Sequence, residues 1–167
     1  MTCKIELTRG KVAIVDDEDY KELSELKWFA NKIGNTFYAV CTFNGGAFKC
    51  TKYMHRVILD APSDMCVDHI DGNGLNNCRS NLRLSTKSQN GANRGKQADN
   101  TSGFKGVIWY SRCRKWRAQI KINGKNKFLD SFDSPEDAAR AYDEAARKFF
   151  GGFAKLNFLD GDTQNES

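Results

Sequence analysis

The stretch that begins Ser134-Pro135-Glu136-Asp137 and stops at Gly151-Gly152 leaves the chain little choice of local structure. Ser134 is a strong helix N-cap. Pro135 suits the first helical position, where its missing amide hydrogen would be unpaired anyway, and Asp137 lies near the positive end of the helix. Ala138, Tyr142, Ala145 and Phe149 then recur at three- to four-residue spacing, which predicts an apolar stripe able to lie across a sheet. The glycine pair ends it. Upstream, residues 106–110, 116–122 and 127–129 read as strands. The last two are joined by Asn123-Gly124, a pair that accepts the positive backbone dihedrals of a tight hairpin. The C-terminal part is therefore expected to be a three-stranded sheet backed by one helix.

Towards the N-terminus the pattern is strand-like and shorter. Ile5-Glu6-Leu7-Thr8 and Val12-Ala13-Ile14-Val15 read as strands split by Arg9-Gly10-Lys11, and Asp16 or Asp17 can cap a short helix reaching Leu26. Phe37-Tyr38-Ala39-Val40 and Ala47-Phe48-Lys49-Cys50 flank Asn44-Gly45-Gly46, a hairpin signal. Residues 54–59 follow, with an ambiguous register. The polar run from about residue 92 to 102 is expected to be a linker, because it offers little apolar surface to bury.

Charge separates these parts further. The 167 residues carry 26 Lys and Arg against 21 Asp and Glu, for a net charge of +5. Residues 16–25 are acidic, whereas residues 101–127 hold eight basic side chains and no acidic one. A phosphate backbone is the natural partner of such a segment, because each Lys or Arg set against it releases condensed counterions. The six cysteines, Cys3, Cys41, Cys50, Cys66, Cys78 and Cys113, include no pair at the close spacing of a zinc knuckle and follow no secretory signal, so reduced thiols are expected. No apolar run approaches the roughly 20 residues that cross a bilayer. The expected protein is soluble and intracellular, in the cytoplasm or nucleoid of a host cell, monomeric and without a membrane partner.

The chemistry-bearing stretch lies between these regions. Val67-Asp68-His69-Ile70 can end one strand, the glycine- and asparagine-rich residues 71–81 can form a loop, and Leu82-Arg83-Leu84 can return antiparallel. Thr86 and Gln89 offer a capping box for a short helix that carries Asn90. Such a strand, loop, strand and helix would bring Asp68, His69 and Asn90 together. Hydrolysis of a phosphodiester needs an activated water and stabilisation of developing charge. A histidine with a pKa near about 6.5 can take the water's proton, and a carboxylate with an amide carbonyl supplies the hard oxygen donors that suit Mg²⁺. An Asp-His pair by itself is more often structural; the joint spacing carries the reading.

With these residues in view, the sequence resembles the HNH endonucleases, particularly the homing-type members of phages and mobile introns. The resemblance implies a ββα-metal fold over residues 54–93, with Asp68 as metal ligand, His69 as general base and Asn81 as the residue that orients the histidine. It places Asn90 as second metal ligand, at a position that is often histidine in the family. It further implies Mg²⁺ (or Mn²⁺) as cofactor and nicking or cleavage of double-stranded DNA to 5′ phosphate and 3′ hydroxyl ends. His55 precedes the motif, as in many relatives, and is read as structural or substrate-contacting.

A second resemblance covers almost all of residues 101–158. Ser102-Gly103-Phe104-Lys105-Gly106-Val107, Lys115-Trp116-Arg117-Ala118-Gln119-Ile120, Leu129, Phe132-Asp133-Ser134-Pro135-Glu136-Asp137-Ala138-Ala139-Arg140-Ala141-Tyr142-Asp143 and Ala154-Lys155-Leu156-Asn157-Phe158 are similar to the AP2/ERF DNA-binding domain. The resemblance implies that the sheet enters the major groove. Lys105, Arg112, Arg114, Arg117, Lys121 and Lys127 are the DNA contacts it suggests, joined by Arg79, Arg83, Lys87 and Arg94 around the nuclease motif. Ile108 and Tyr110 depart from the arginine pattern of the family's first strand, so no plant-type target is implied.

The chain is thus expected to be α+β, with a β-rich N-terminal region (1–53), a nuclease core (54–93), a linker (94–101) and a DNA-binding domain (102–160). The alternative is a sequence-specific DNA-binding regulator whose nuclease motif has decayed. The presence of Asp68, His69, Asn81 and Asn90 together weighs against it.

Overall fold

A computed structural model of the chain describes residues 1–45, 48–97 and 99–158. The architecture is α+β: ten strands in four small antiparallel sheets, with four α-helices, among the described residues. The chain forms two compact units, Met1–Thr86 and Lys87–Ser167.

In the first unit β1 (Thr2–Glu6) pairs with β2 (Val12–Asp16), Ile5 opposite Ala13. Helix α1 (Asp17–Ser24) follows as expected, but Asp16 does not cap it; its carboxylate instead accepts the Arg79 amide at 2.7 Å. Strands β3 (Phe29–Ile33), β4 (Thr36–Gly45) and β5 (Phe48–Tyr53) form a meander. The turn expected at Asn44-Gly45-Gly46 extends into residues outside those described. Strand β3 has no counterpart in the sequence reading, since only Ala30 of its five residues is buried and no alternation marks it. The ambiguous segment is helix α2 (Met54–Ile58), with Met54, His55 and Ile58 on its buried face. The hairpin β6 (Cys66–His69) and β7 (Leu82–Ser85) sets Asp68 opposite Arg83 and His69 opposite Leu82. Ile5, Val15, Leu23, Trp28, Met54, Val67 and Leu82 belong to one core cluster, which anchors the hairpin to the N-terminal strands.

The second unit contains α3 (Lys87–Asn93), the sheet β8 (Val107–Tyr110), β9 (Lys115–Ile122) and β10 (Lys125–Phe132), and α4 (Pro135–Phe150). Asn123 and Gly124 both have positive φ, 49° and 80°, as a tight hairpin between right-twisted strands requires. Ser134 Oγ accepts the Asp137 amide at 3.0 Å, completing the N-cap. The apolar stripe of α4 is displaced from its expected line: Ala138, Ala139, Tyr142, Ala146 and Phe150 are buried, Ala145 is half-buried and Phe149 is exposed. Ala145-Ala146 and Phe149-Phe150 are adjacent apolar pairs, so the sequence offers two stripes one residue apart and packing chooses between them. At Gly106 (φ +77°) a Cβ would come within 2.1 Å of the Tyr142 ring, so only glycine lets β8 start this close to α4.

Part of the polar run read as a linker is built into this unit. Ala92 is buried against Ile120, Tyr142, Ala146 and Phe150, and its carbonyl accepts the Lys155 amide at 3.1 Å. At the other end Ser102 Oγ donates to the Val107 carbonyl at 2.8 Å. Residues 94–97 are irregular and exposed.

Candidate active site

The loop between β6 and β7 is held from outside and from within. Ile14 of β2 donates to the Leu75 carbonyl at 2.9 Å and accepts the Asn77 amide at 2.7 Å. A Cβ at Gly74 would lie 2.5 Å from the Phe37 carbonyl oxygen and 2.7 Å from the Tyr38 ring, so glycine is what allows the loop against β4. Inside the loop, the Asp71 carboxylate accepts from the Asn73 amide (2.8 Å), Asn76 Nδ2 (2.8 Å) and Asn81 Nδ2 (2.9 Å). Burial pushes the Asp71 pKa up, yet these hydrogen bonds outweigh it and hold the carboxyl below its ordinary value. Asn81 also accepts the Asp71 amide at 3.0 Å and donates to the Asn76 carbonyl at 2.8 Å. Its side chain therefore holds the loop, and Asn77 is the asparagine whose side chain reaches the histidine ring.

His69 ends β6 at 5% exposure, with Nε2 3.4 Å from Asn77 Oδ1. The Tyr38 and His55 rings stand edge-on to it at centroid distances of 5.9 and 5.0 Å. Burial lowers the His69 pKa, opposed by the Asn77 contact and by Asp71 and Asp68, so the ring is a neutral proton acceptor at neutral pH. His55, also buried, is pushed down to about 3, chiefly by burial, with repulsion from a protonated His69 and from Arg56 adding to it, and its Nδ1 has no hydrogen-bond partner among the described residues. Neither the Asn77 contact nor the His55–His69 packing is visible in the sequence; Asn76-Asn77 is one asparagine pair in a loop rich in asparagine.

Asp68 is buried beneath an arginine. Arg83 places Nε and Nη2 each 2.8 Å from Asp68 Oδ2 across the strand pair. Arg79 donates to Asp19 through Nε (2.9 Å) and Nη2 (2.7 Å) and lies 3.1 Å from Glu18. Both were expected as phosphate contacts, and both are occupied by carboxylates that tertiary folding brings to them, in the case of Asp19 from 60 residues away. Asp68, His69 and Asn81 share the β6–β7 hairpin. Asn90, half-buried, lies on α3 with the exposed Lys87, and the exposed Arg94 follows; all three belong to the second unit. No group of three or more His, Cys, Asp or Glu among the described residues could cage a metal, and all six cysteines are free. One carboxylate and an amide carbonyl are a donor set that fits Mg²⁺, which keeps water and substrate phosphate as its other ligands.

The second unit presents a different surface. Along β9, Ala118 and Ile120 turn towards α4, so Arg117, Gln119 and Lys121 turn away from it. The Arg117 guanidinium carbon lies 3.2 Å from the Tyr110 ring centroid and 5.4 Å from that of Phe128, and its Nε is buried without a partner among the described residues. Arg112, Arg114 and Lys121 are exposed, and Lys127 lies over the Phe149 ring at 5.1 Å. Lys105 is turned inward, correcting its reading as a DNA contact. Its ammonium donates to the Ala92 carbonyl and, at 3.4 Å, to that of Lys155, and lies over the Tyr142 ring at 5.7 Å. Burial and the nearby Lys155 lower its pKa to about 8. Asn157 accepts the Lys105 amide at 2.7 Å and donates to the buried Asp143 at 3.0 Å, which ties the chain after α4 to the start of β8.

Residues 52–92 match the family model of an HNH endonuclease. Over 154 residues, 91% of this chain and 78% of the relative, the chain is 34% identical to an uncharacterized HNH endonuclease of Acanthamoeba polyphaga mimivirus. It is 37% identical over 95 residues, 57% of this chain and 78% of the relative, to protein 3.8 of Escherichia phage T7. A 66-residue segment, 40% of this chain but 14% of the relative, is 42% identical to an AP2-like ethylene-responsive transcription factor of Arabidopsis thaliana. No helix among the described residues is long and apolar enough to cross a membrane. HNH nucleases act on DNA and typically depend on a divalent metal. The match of residues 52–92 to the HNH model, together with 34% identity to a viral HNH endonuclease along nine-tenths of the chain, makes this protein a member of the HNH endonucleases.

Proposed function

We propose that the chain hydrolyses phosphodiester bonds of double-stranded DNA, nicking or cleaving it as the homing-type enzymes do, with His69 as general base and Asp68 and Asn90 as ligands of Mg²⁺ (or Mn²⁺). The observation that carries this is His69 itself: buried, neutral, adjacent to Asp68 and fixed at the mouth of a loop with little freedom. A bound divalent ion would stabilise charge on the phosphoryl oxygens and the departing 3′ oxygen. His69 takes the proton of the attacking water. Asn81 keeps the loop closed around Asp71, and Arg83 orients the Asp68 carboxylate. The nuclease core is assigned to residues 54–93 and the DNA-anchoring domain to 102–160, where Arg112, Arg114, Arg117, Lys121 and Lys127 meet phosphate or base edges; Lys87 and Arg94 add phosphate contacts.

His69→Ala should lower the single-turnover rate on duplex DNA by about 100-fold or more while leaving affinity nearly unchanged, because a general base acts in the transition state. Asp68→Ala and Asn90→Ala should both reduce the rate, with excess Mg²⁺ rescuing Asn90→Ala better because the anionic ligand remains. Equal rates for His69→Ala and the parent chain would remove His69 from this role, and full activity in exhaustive chelator would remove the metal.

A further inference from the structure

We infer that Asn77, rather than Asn81, decides which nitrogen of His69 accepts the proton: Asn77 holds Nε2–H and leaves Nδ1 as the base. The inference rests on His69 being the base and names the residue that prepares it.

A neutral imidazole carries one donor and one acceptor nitrogen, and the tautomer follows the hydrogen bond made by the nitrogen that is not reacting. The Oδ1 of Asn77 can only accept, so its 3.4 Å contact with Nε2 is productive only when that nitrogen bears the proton. The distance is long for such a bond, as catalytic contacts often are before substrate tightens them. Reversing the amide would set its NH₂ against Nε2 and select the opposite tautomer, so the two orientations assign the base to different nitrogens.

Asn77 is well placed to impose the choice. It is fully buried, and its backbone amide is fixed to the Ile14 carbonyl at 2.7 Å. Its Nδ2 is buried without a partner among the described residues, an arrangement that costs stability and that a leucine of similar size would avoid. An amide at this position is therefore poorly explained by packing and well explained by its oxygen. Asn81 directs its side-chain bonds to Asp71 and Asn76 and acts on His69 only through the loop. The edge-on rings of His55 and Tyr38 limit rotation of the imidazole, so a tautomer once selected also has a fixed direction. Asn77 is a positioning residue; it acts through His69.

The chain has two histidines, so nitrogen NMR of the full-length protein labelled at histidine reads the tautomer directly. At about pH 8 both rings are neutral, and His69→Ala identifies the remaining signal. The parent chain should show the Nε2–H tautomer at His69. Asn77→Leu should mix the tautomers and lower kcat by about 10- to 100-fold with KM for duplex DNA little changed. Asn77→Asp, which keeps the acceptor, should restore the Nε2–H tautomer and raise kcat above that of the leucine variant. An Nδ1–H tautomer in the parent chain overturns the inference without any variant, even if Asn77→Leu fails to fold; so does a folded Asn77→Leu with parental tautomer and kcat. If His69→Ala is inactive and a folded Asn77→Leu keeps the parental kcat, this inference alone falls. If His69→Ala cleaves normally, the base assignment falls with it.

Discussion

In the first unit the arginines at the site are turned onto acids, Arg83 onto Asp68 and Arg79 onto Asp19 and Glu18, whereas Arg112, Arg114 and Lys121 of the second unit have no ion pair among the described residues. The buried polar residues divide in the same way. His55, Asp68, His69, Asn77, Asn81 and Ser85 are buried in the first unit, while Asp143 is the corresponding residue of the second among those described. One unit uses charge and hydrogen bonds to fix the directions of a few side chains. The other rests on an alanine-rich helix interface and leaves Arg112, Arg114 and Lys121 exposed, where each can release counterions from DNA. A basic residue in this chain therefore has no single meaning, and its role follows from what folding brings to it.

The contrast predicts unequal responses to loss of an arginine. Arg83→Leu leaves the Asp68 carboxylate, 4% exposed, without its fork, and removal of one partner of a buried pair costs about 3–5 kcal/mol. Arg112→Ala, at an exposed turn position, should change stability by less than about 0.5 kcal/mol. Urea unfolding of the two variants beside the parent tests this. Equal midpoints would show that the Asp68–Arg83 pair does not organise the hairpin.

A smaller effect, and in the opposite sense, is expected for DNA. Removing Arg112, Arg114 and Arg117 together should weaken duplex binding and reduce the slope of log affinity against log salt by about 2 to 3, with the rate at saturating DNA little changed. Arg79→Ala should leave that slope alone, because its guanidinium is already neutralised by Asp19 and Glu18. Binding isotherms at several salt concentrations decide the matter. An unchanged slope for the triple variant would leave the sheet face without its proposed role.

These differences also mark how far the sequence could be read. Helix α4 with its Ser134 cap, the Asn123-Gly124 hairpin and the succession β6, β7, α3 were legible because each is specified by residues a few positions apart. The residues gathered around His69 were legible in part. Asp68 and Asn81 share its hairpin, but the hydrogen bond to the ring comes from Asn77, whose identity within an asparagine-rich loop carries no local signal. Asp16 looked like a cap and is instead an acceptor for Arg79; Lys105 looked like a phosphate contact and is an internal clamp. In both, a residue type suited to two partners was assigned one, while the fold supplied the other. Strand β3 was missed for a simpler reason: Phe29-Ala30-Asn31-Lys32-Ile33 has neither alternation nor a turn signal before it.

The last comparison concerns titration, because burial lowers the pKa of a base in each unit, His55 and His69 in the first and Lys105 in the second. His55 in the first unit has a pKa of about 3, far below its ordinary value of 6.5, chiefly through burial. Between these values the unfolded chain binds more protons than the folded one, so its contribution to stability is lost as pH falls below about 6.5. Lys105 in the second unit stands at about 8 against 10.5, again chiefly through burial. Between about 8 and 10.5 the unfolded chain once more binds the extra proton, and stability there rises with pH. Tyr142, pushed up to about 12 by burial and Asp143, opposes this only where free tyrosine ionises, above about pH 10. The two units should therefore respond at opposite ends of the pH scale. Amide hydrogen exchange measured in β6 and β9 separates them: protection in β6 should fall between pH 6.5 and 5, and protection in β9, corrected for the intrinsic exchange rate, should rise between pH 8 and 9.5. His55→Phe, which keeps an aromatic ring against Tyr53 and His69, should flatten the first profile. Lys105→Met, which keeps the aliphatic stem over Tyr142, should flatten the second. Profiles parallel to the parent's in either variant would show that the corresponding base is not what couples that unit to pH.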